Sequence, residues 1–320
     1  MRFPIVQNRK IWYSLSGTLF VLTILGAIFF GFNLSLHFTG GTEVKYSFAN
    51  TVPTVDTMQK FITKTEEDFN KDKKDKLNLG TVLVLQTDTN SLSIKMRSQQ
   101  SATGSGSTLS TDFENMLSTK VTSDLKGVKE SSFTLSPSVG EVLKTQALWA
   151  TFLAIIAIVL YIVFAFRKLP KAYNPWVFGF NTIFALVHDV VIMTGVFIFL
   201  GKFFNVEIAP YFITALLTIL GYSVNDTIVV FDRVRENMIL QKKVENIEEI
   251  TEESVWQTMA RSINTSLTVI ITLTALIIFG AESTRMFAVA LLVGVLVGTY
   301  SSIFLATPLL VTFKKYLLRK

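Results

Sequence analysis

Residues 147–166 read ALWATFLAIIAIVLYIVFAF and contain no charged side chain. A helix needs ~20 residues to cross a hydrocarbon core about 30 Å thick, so this stretch predicts a membrane-spanning helix. Stretches of similar length and apolar character occur at 11–32, 177–200, 210–231, 258–279 and 287–307. The sequence therefore predicts a polytopic α-helical membrane protein with six transmembrane (TM) helices.

The composition of the whole chain supports this class and excludes several others. Of the 320 residues, 17% are charged, against about 25% in soluble domains. The chain has 0 cysteines and 2 histidines, which excludes disulfides, cysteine-based metal centres and thiol catalysis. It also has no glycine-rich nucleotide-binding motif. We therefore expect no cofactor, no metal and no enzymatic activity, and an ion gradient is the available source of energy.

Lysine and arginine residues indicate how the predicted helices are oriented. They cluster at 1–10, 167–171, 232–257 and 313–320. Because such clusters stay on the cytoplasmic side of a membrane, we expect a cytoplasmic N-terminus, a cytoplasmic connection at 232–257 and a cytoplasmic basic tail at 313–320. The basic residues behind the formal net charge of +6 then flank the membrane helices. At that place they can bind anionic membrane lipid, and we do not expect them to bind nucleic acid.

The stretch 37–146 has the pattern of a folded domain, between a first membrane segment at 11–36 and a bundle of five helices at 147–312. Alternating apolar residues predict strands, and apolar residues on one helical face predict helices. The predicted strands are 42–48, 81–86, 91–97 and 128–135, the helices are 53–70 and 109–125, and loops are expected at 71–76 and 98–107. This βαββαβ order is that of a ferredoxin-like α+β domain. On the charge argument the domain is external, and we expect it to bind protein.

Charged residues inside the predicted TM segments are the candidates for function, since each costs about 2.5–3.5 kcal/mol to insert. Asp226 lies near the end of the fourth segment and Arg261 in the first turn of the fifth, at similar predicted depth. We expect them to form an ion pair whose carboxyl can load and release an ion. The alternative is a static pair that fixes helix packing.

Two further features accompany this pair. A supporting polar stripe recurs at helical spacing along both segments and comprises Tyr222, Asn225, Asn264, Thr265 and Thr268. His188 and Asp189, in the middle of the third segment, are secondary candidates. They form either a structural hydrogen bond or a proton relay.

Several motifs together resemble the SecF family of the bacterial SecD–SecF protein-export complex, within the RND superfamily. The loop motif after the first segment comprises Phe38, Thr39, Gly40, Gly41 and Thr42. The other motifs are PSVG at 137–140, His188-Asp189, GYSVNDT at 221–227, FDRVREN at 231–237 and RSINT at 261–265. His37 departs from the family pattern, which usually has aspartate before Phe-Thr-Gly-Gly.

The resemblance implies an RND-type half with six TM helices in the bacterial cytoplasmic (inner) membrane. It implies a SecD-like second half, the SecYEG channel and a translocating polypeptide as partners, and a proton or sodium gradient as the driving force. Asp226 and Arg261 fall at the positions that the family uses for ion translocation. Two other functions stay open, a membrane-anchored assembly or binding subunit without ion flux and a small-molecule RND-like exporter.

Overall fold

A computed structural model of the chain describes residues 3–49, 52–71, 79, 82–88, 90–96, 106–168, 174–241 and 247–313. The chain forms two compact units, a helical bundle of Met1–Asn33 and Ala147–Lys320 and a domain of Leu34–Gln146. Most of the loops predicted at 71–76 and 98–107, and of the tail predicted at 313–320, lies outside the described residues.

The elements follow one another along the chain with the bounds given next. They are α1 (Arg9–Phe30), α2 (Leu36–Thr39), β1 (Gly41–Phe48), α3 (Val55–Asn70), β2 (Val82–Asp88), β3 (Ser91–Met96), α4 (Gly106–Leu125), β4 (Gly127–Leu135), α5 (Pro137–Ala165), a 3₁₀ turn (Phe166–Lys168), α6 (Pro175–Phe204), α7 (Pro210–Gln241), α8 (Ile247–Phe279), α9 (Glu282–Ser301), a π-helix (Ser302–Ala306) and α10 (Thr307–Thr312).

Six helices within the described residues are long and apolar enough to cross a membrane, which confirms the predicted number. They are α1, α5, α6, α7, α8 and the run Glu282–Thr312, which α9, the π-helix and α10 form together. Proline explains the change of pitch in the last one. Pro308 has no N–H to donate to the carbonyl of Phe304, four residues earlier, and its ring crowds that carbonyl. The Thr307 hydroxyl donates a hydrogen bond to the Ser302 carbonyl at 2.7 Å.

The predicted connection at 232–257 is largely helical, because α7 continues to Gln241 and α8 begins at Ile247. Both extensions keep the helical apolar spacing, since Val234, Met238 and Ile250 are buried within them. Asn237 is buried as well and donates hydrogen bonds to Ser254 and Gln257, so the two extensions pack against each other.

The α+β domain has the predicted ferredoxin-like topology. Its four strands pair antiparallel in the order β2-β3-β1-β4. Residues of the sheet and of both long helices share one apolar core, in which Tyr46, Ile94, Met58 and Phe113 are completely buried. The domain therefore places α3 and α4 over one face of the sheet.

The helix contacts in the bundle bring polar residues of three helices together. α6 and α7 run antiparallel, since Phe178 meets Phe231 at 5.3 Å between ring centroids and Phe197 meets Phe212 at 4.7 Å. α9 crosses α7 closely at a glycine. A Cβ atom at Gly298 would lie 3.0 Å from the Cβ atom of Ser223, so a small residue is needed where these helices approach.

Candidate functional site

Asp226 is a buried carboxylate held between three helical segments. It is 7% exposed on α7. Ser262 of α8 donates a hydrogen bond to its Oδ1 at 2.6 Å, and Ser302 of the π-helix donates to its Oδ2. Both carboxylate oxygens therefore accept hydrogen bonds from neutral hydroxyl groups.

Arg261 lies beside the same cavity as Asp226 but does not pair with it. The two residues line a cavity of about 120 Å³ together with Tyr222, Asn225, Val229 and Thr265. Within the described residues no nitrogen of Arg261 comes within 4.0 Å of the carboxylate, so the predicted ion pair is wrong. Consecutive residues point about 100° apart around a helix. Ser262 therefore faces the carboxylate while its neighbour Arg261 is exposed.

The predicted polar stripe divides into two parts. Tyr222, Asn225 and Thr265 line the cavity, and the Tyr222 hydroxyl donates to Ser266 at 3.0 Å. Asn264 and Thr268 do not line the cavity and are exposed on α8. The sequence therefore placed three of these five residues beside the candidate carboxylate.

Exposed polar groups remain on the side of the bundle that carries Arg261. Asn225, Arg261 and Asn264 are exposed, and within the described part of the chain their side chains make no hydrogen bond. Thr268 bonds back to the carbonyl of Thr265 at 2.8 Å, as threonines do on a helix that offers no other partner. Amide and guanidinium groups at membrane depth are costly when lipid surrounds them.

A second buried carboxylate, Asp189 on α6, is 2% exposed. Its Oδ2 accepts hydrogen bonds from Ser223 at 2.6 Å and from Ser301 at 2.9 Å. His188 Nδ1 lies 3.0 Å from its Oδ1. The predicted His188–Asp189 contact is thus present, within a larger group of buried hydroxyls.

The loop motif at 38–42 lies at the edge of the α+β domain, where it packs against the start of α5. Gly40 has φ +71°, and a Cβ atom there would lie 2.7 Å from the backbone of Pro137. A Cβ atom at Gly140 would lie 2.7 Å from the carbonyl oxygen of Phe38. The two motifs therefore need glycine for close backbone approach. The His37 ring packs against Phe133, with 5.4 Å between centroids.

Reasoning from the sequence missed the four serines that hold the two aspartates. They are Ser223, Ser262, Ser301 and Ser302. One signal pointed to two of them, because Ser301 and Ser302 are adjacent in an otherwise apolar segment. Among the residues that the structure describes, no group of three metal-binding side chains could hold an ion.

A bundle of six membrane-length helices with a buried carboxylate, joined to a ferredoxin-like domain, defines a polytopic membrane protein of the RND-type half architecture. The family model described as "Protein export membrane protein SecD/SecF, C-terminal" matches residues 115–316. The chain belongs to this SecD/SecF family, which confirms the resemblance of the motifs.

Individual relatives agree with this assignment. The protein translocase subunit SecF of Sebaldella termitidis is 33% identical over 322 residues, covering 100% of this chain and 93% of the relative. The protein translocase subunit SecDF of Thermus thermophilus is 34% identical over 307 residues, covering 94% of this chain and 37% of the relative.

A solved structure shares the fold. The crystal structure of SecDF, a translocon-associated membrane protein from Thermus thermophilus, matches with a TM-score of 0.78 and 31% identity over 98% of this chain. A structure of SecDF in a super-membrane-facing form matches with a TM-score of 0.66. This chain spans 39% of the SecDF chain in both structures.

Proposed function

We propose that this chain is a subunit of a protein translocase that uses the proton or sodium gradient to promote export of polypeptides, with Asp226 and Arg261 as its ion-coupled switch. The observation that carries this proposal is the setting of Asp226. It is a buried carboxylate with neutral hydrogen-bond donors, and it lines one cavity with an arginine that does not neutralise it.

This setting suits a group that changes its charge. An ionised carboxylate in a low-dielectric interior attracts a cation strongly, and the cavity beside it offers room for water or an ion. When a proton binds, the Ser302 hydroxyl can turn to the carbonyl of Thr299, which lies 3.0 Å away. Binding the ion then changes the hydrogen bonds that hold α7 to the last TM helix, and the helices shift.

The exposed polar groups support a second half as partner. Asn225, Arg261 and Asn264 lie on one side of the bundle, where another protein would supply the hydrogen bonds that lipid cannot. One relative, the SecDF of Thermus thermophilus, is much longer than this chain, which matches 37% of it. We infer that a SecD-like second half covers this side, and that the SecYEG channel and the translocating polypeptide are the further partners.

The distribution of charge supports an orientation. Basic residues flank the ends of α5 and α6 near residues 167–171 and the ends of α7 and α8 near residues 232–257. By the positive-inside rule these ends are cytoplasmic. We propose that both termini are cytoplasmic and that residues 37–146 are external, in the cytoplasmic membrane of a bacterium.

The test is export into proteoliposomes that contain the chain, its second half and the SecYEG channel, measured with and without an ion gradient. Asp226→Asn keeps the shape of the side chain and removes its charge, so we expect gradient-stimulated export to fall to the level without a gradient. Asp56→Asn, on the exposed surface of α3, is the matched control and should export normally.

Gradient-stimulated export that survives Asp226→Asn would contradict the proposal. It would favour a membrane-anchored assembly subunit without ion flux, which predicts that changes on the surface of the α+β domain abolish export instead. Running the assay with a proton gradient alone and then with a sodium gradient alone identifies the ion.

A further inference from the structure

Two adjacent serines connect the two buried aspartates of the bundle. Ser301 is the last residue of α9 and donates to Asp189 at 2.9 Å. Ser302 is the first residue of the π-helix and donates to Asp226. The change of helical pitch therefore falls where one hydroxyl reaches each carboxylate, and π-turns within helices are frequent at functional sites.

Each of these serines has a second acceptor within reach. The Ser301 hydroxyl also lies 3.1 Å from the carbonyl of Gly298, and the Ser302 hydroxyl lies 3.0 Å from the carbonyl of Thr299. A hydroxyl group has one proton to donate and can accept as well. When a carboxylate takes up a proton, its O–H can donate to the serine oxygen, and the serine can turn to the backbone carbonyl. Both protonation states then keep a satisfied set of hydrogen bonds.

His188 gives the Asp189 site a second atom that can bind a proton. Its Nδ1 contacts Asp189, whereas its Nε2 is buried and has no hydrogen-bond partner among the described residues. Buried polar atoms without a partner are uncommon in proteins. The histidine side chain is 6% exposed, and its ring lies against Tyr300 with 5.9 Å between centroids. The site is therefore enclosed and has an unused position for a proton.

The charges that face this site come from the elements packed on α6. These elements are α1, the 3₁₀ turn, α7, α9, the π-helix and α10. The 3₁₀ turn carries Arg167, which is exposed and lies 3.9 Å over the ring of Phe164. α7 contributes Asp226 and α9 contributes Tyr300, while the π-helix and α10 contain no titratable side chain. On α1, Tyr13 bonds to Thr312 and Arg9 bonds to Glu248. Within the described residues, His188 is the one cation-forming group within 4.0 Å of Asp189.

We propose that His188 and Asp189 form a second proton-binding site, and that Ser301 and Ser302 couple its protonation to that of Asp226. A proton from a hydronium ion bonds to a carboxylate oxygen of Asp189, the O–H bond that breaks leaves water behind, and the charge of the pair rises by one. Because the two carboxylates are held by adjacent serines at the junction of α9 and the π-helix, a change of donor at one alters the other. The inference rests on the proposed function in taking Asp226 as the ion-carrying carboxylate.

The test is infrared difference spectroscopy against pH on the full chain with its second half in lipid, following the carbonyl band of protonated carboxyl groups. We expect two titrating bands. Asp189→Asn should delete one band and shift the midpoint of the other by about one pH unit, the interaction at which sites titrate as a pair. Asp226→Asn should delete the other. An Asp189→Asn spectrum that keeps both bands, or that loses one without shifting the other, overturns the proposal.

A second variant keeps both carboxylates in case Asp189→Asn does not fold. Ser301→Ala removes one hydrogen bond to Asp189 and leaves both serines on Asp226 in place. We expect the Asp226 midpoint to shift nevertheless, whereas an unchanged midpoint contradicts the coupling. Thr182→Val is the matched control, because it removes a buried hydroxyl of α6 that bonds to the backbone of Phe178. It should shift neither band.

The two proposals can fail separately. If Asp226→Asn retains gradient-stimulated export while both bands titrate and couple, the proposed function is wrong and the second site stands. If Asp226→Asn abolishes that export while Asp189 shows no band of its own, the proposed function stands and the second site is wrong.

Discussion

Glu114 in the α+β domain and Asp226 in the bundle are equally buried, each 7% exposed, but they have opposite surroundings. Glu114 accepts hydrogen bonds from the Lys129 ammonium and from Ser132, each at 2.5 Å. Asp226 accepts from two serines, and within the described residues no cation lies within 4.0 Å of it. A carboxylate paired with a cation loses that ion pair when it is protonated. A carboxylate held by hydroxyl groups can keep its hydrogen bonds, because a hydroxyl accepts as well as donates. Burial alone therefore does not mark a functional carboxylate, and the charge of its partners distinguishes the two.

The largest expected effect concerns the cation on the other side of the Asp226 cavity. Arg261→Met removes the positive charge that attracts the carboxylate across the cavity, and we expect gradient-stimulated export to fall to the level without a gradient. Arg261→Lys keeps the charge but not the planar guanidinium group, and it should retain part of the activity.

Lys202→Met is the control for Arg261→Met, because it removes an exposed cation near the end of α6. It should export normally in the same proteoliposome assay. Normal gradient stimulation in Arg261→Met would show that the arginine is no part of the switch.

An intermediate effect concerns Tyr46, which is buried in the α+β domain and bonds to Ser118 at 2.9 Å. Burial raises the pKa of Tyr46 to about 12 from the ordinary value of 10.0, with nearby Glu114 adding to the rise. The folded domain therefore favours the neutral phenol. Its stabilising contribution, about 3 kcal/mol at 1.36 kcal/mol per pKa unit, is complete below pH 10 and is lost as the pH rises towards 12.

Thermal unfolding of the chain in detergent, followed by circular dichroism between pH 9 and about 12, checks this contribution. Tyr46→Phe cannot ionise, so the difference between wild type and variant should shrink with rising pH over that range. A constant difference would mean that Tyr46 ionises as readily in the folded state as in the unfolded state.

The smallest expected effect compares the two buried carboxyl groups directly. Glu114→Gln removes the charge that Lys129 pairs with, and we expect it to destabilise folding by about 1–3 kcal/mol. Asp226→Asn leaves two hydroxyls that can donate or accept, so its stability should change by less than that. Chemical unfolding of both variants against the wild type gives the two values. A larger loss for Asp226→Asn would indicate that Asp226 serves mainly to hold the helices together.

Much of the architecture could be predicted because its signals are local. A run such as 147–166 contains no charge, so only a membrane or a fully buried position suits it. The strands and helices of the α+β domain followed from apolar periods of two and of three to four residues, which depend on a single element. The extensions of α7 and α8 were missed because a helix with one apolar face can continue beyond the end of an apolar membrane segment.

The site was predicted less completely, because it depends on how helices are rotated against one another. Asp226 and Arg261 do line one cavity, as their similar predicted depth in the membrane suggested. The expected ion pair failed because Ser262, one residue from Arg261, takes the place beside the carboxylate. A difference of one position in sequence is a difference of about 100° around a helix, and hydropathy cannot resolve it.

The sequence by itself determined the number of membrane-spanning helices, the ferredoxin-like domain and the residues that carry charge within the membrane segments. These follow from the cost of placing charge in hydrocarbon and from the periods of helix and strand, which each segment expresses alone. Only the tertiary structure decided which hydroxyls hold Asp189 and Asp226, and that adjacent serines reach both. Those contacts join residues as far apart as Asp189 and Ser301, so they arise only when the packed helices have fixed their relative rotation.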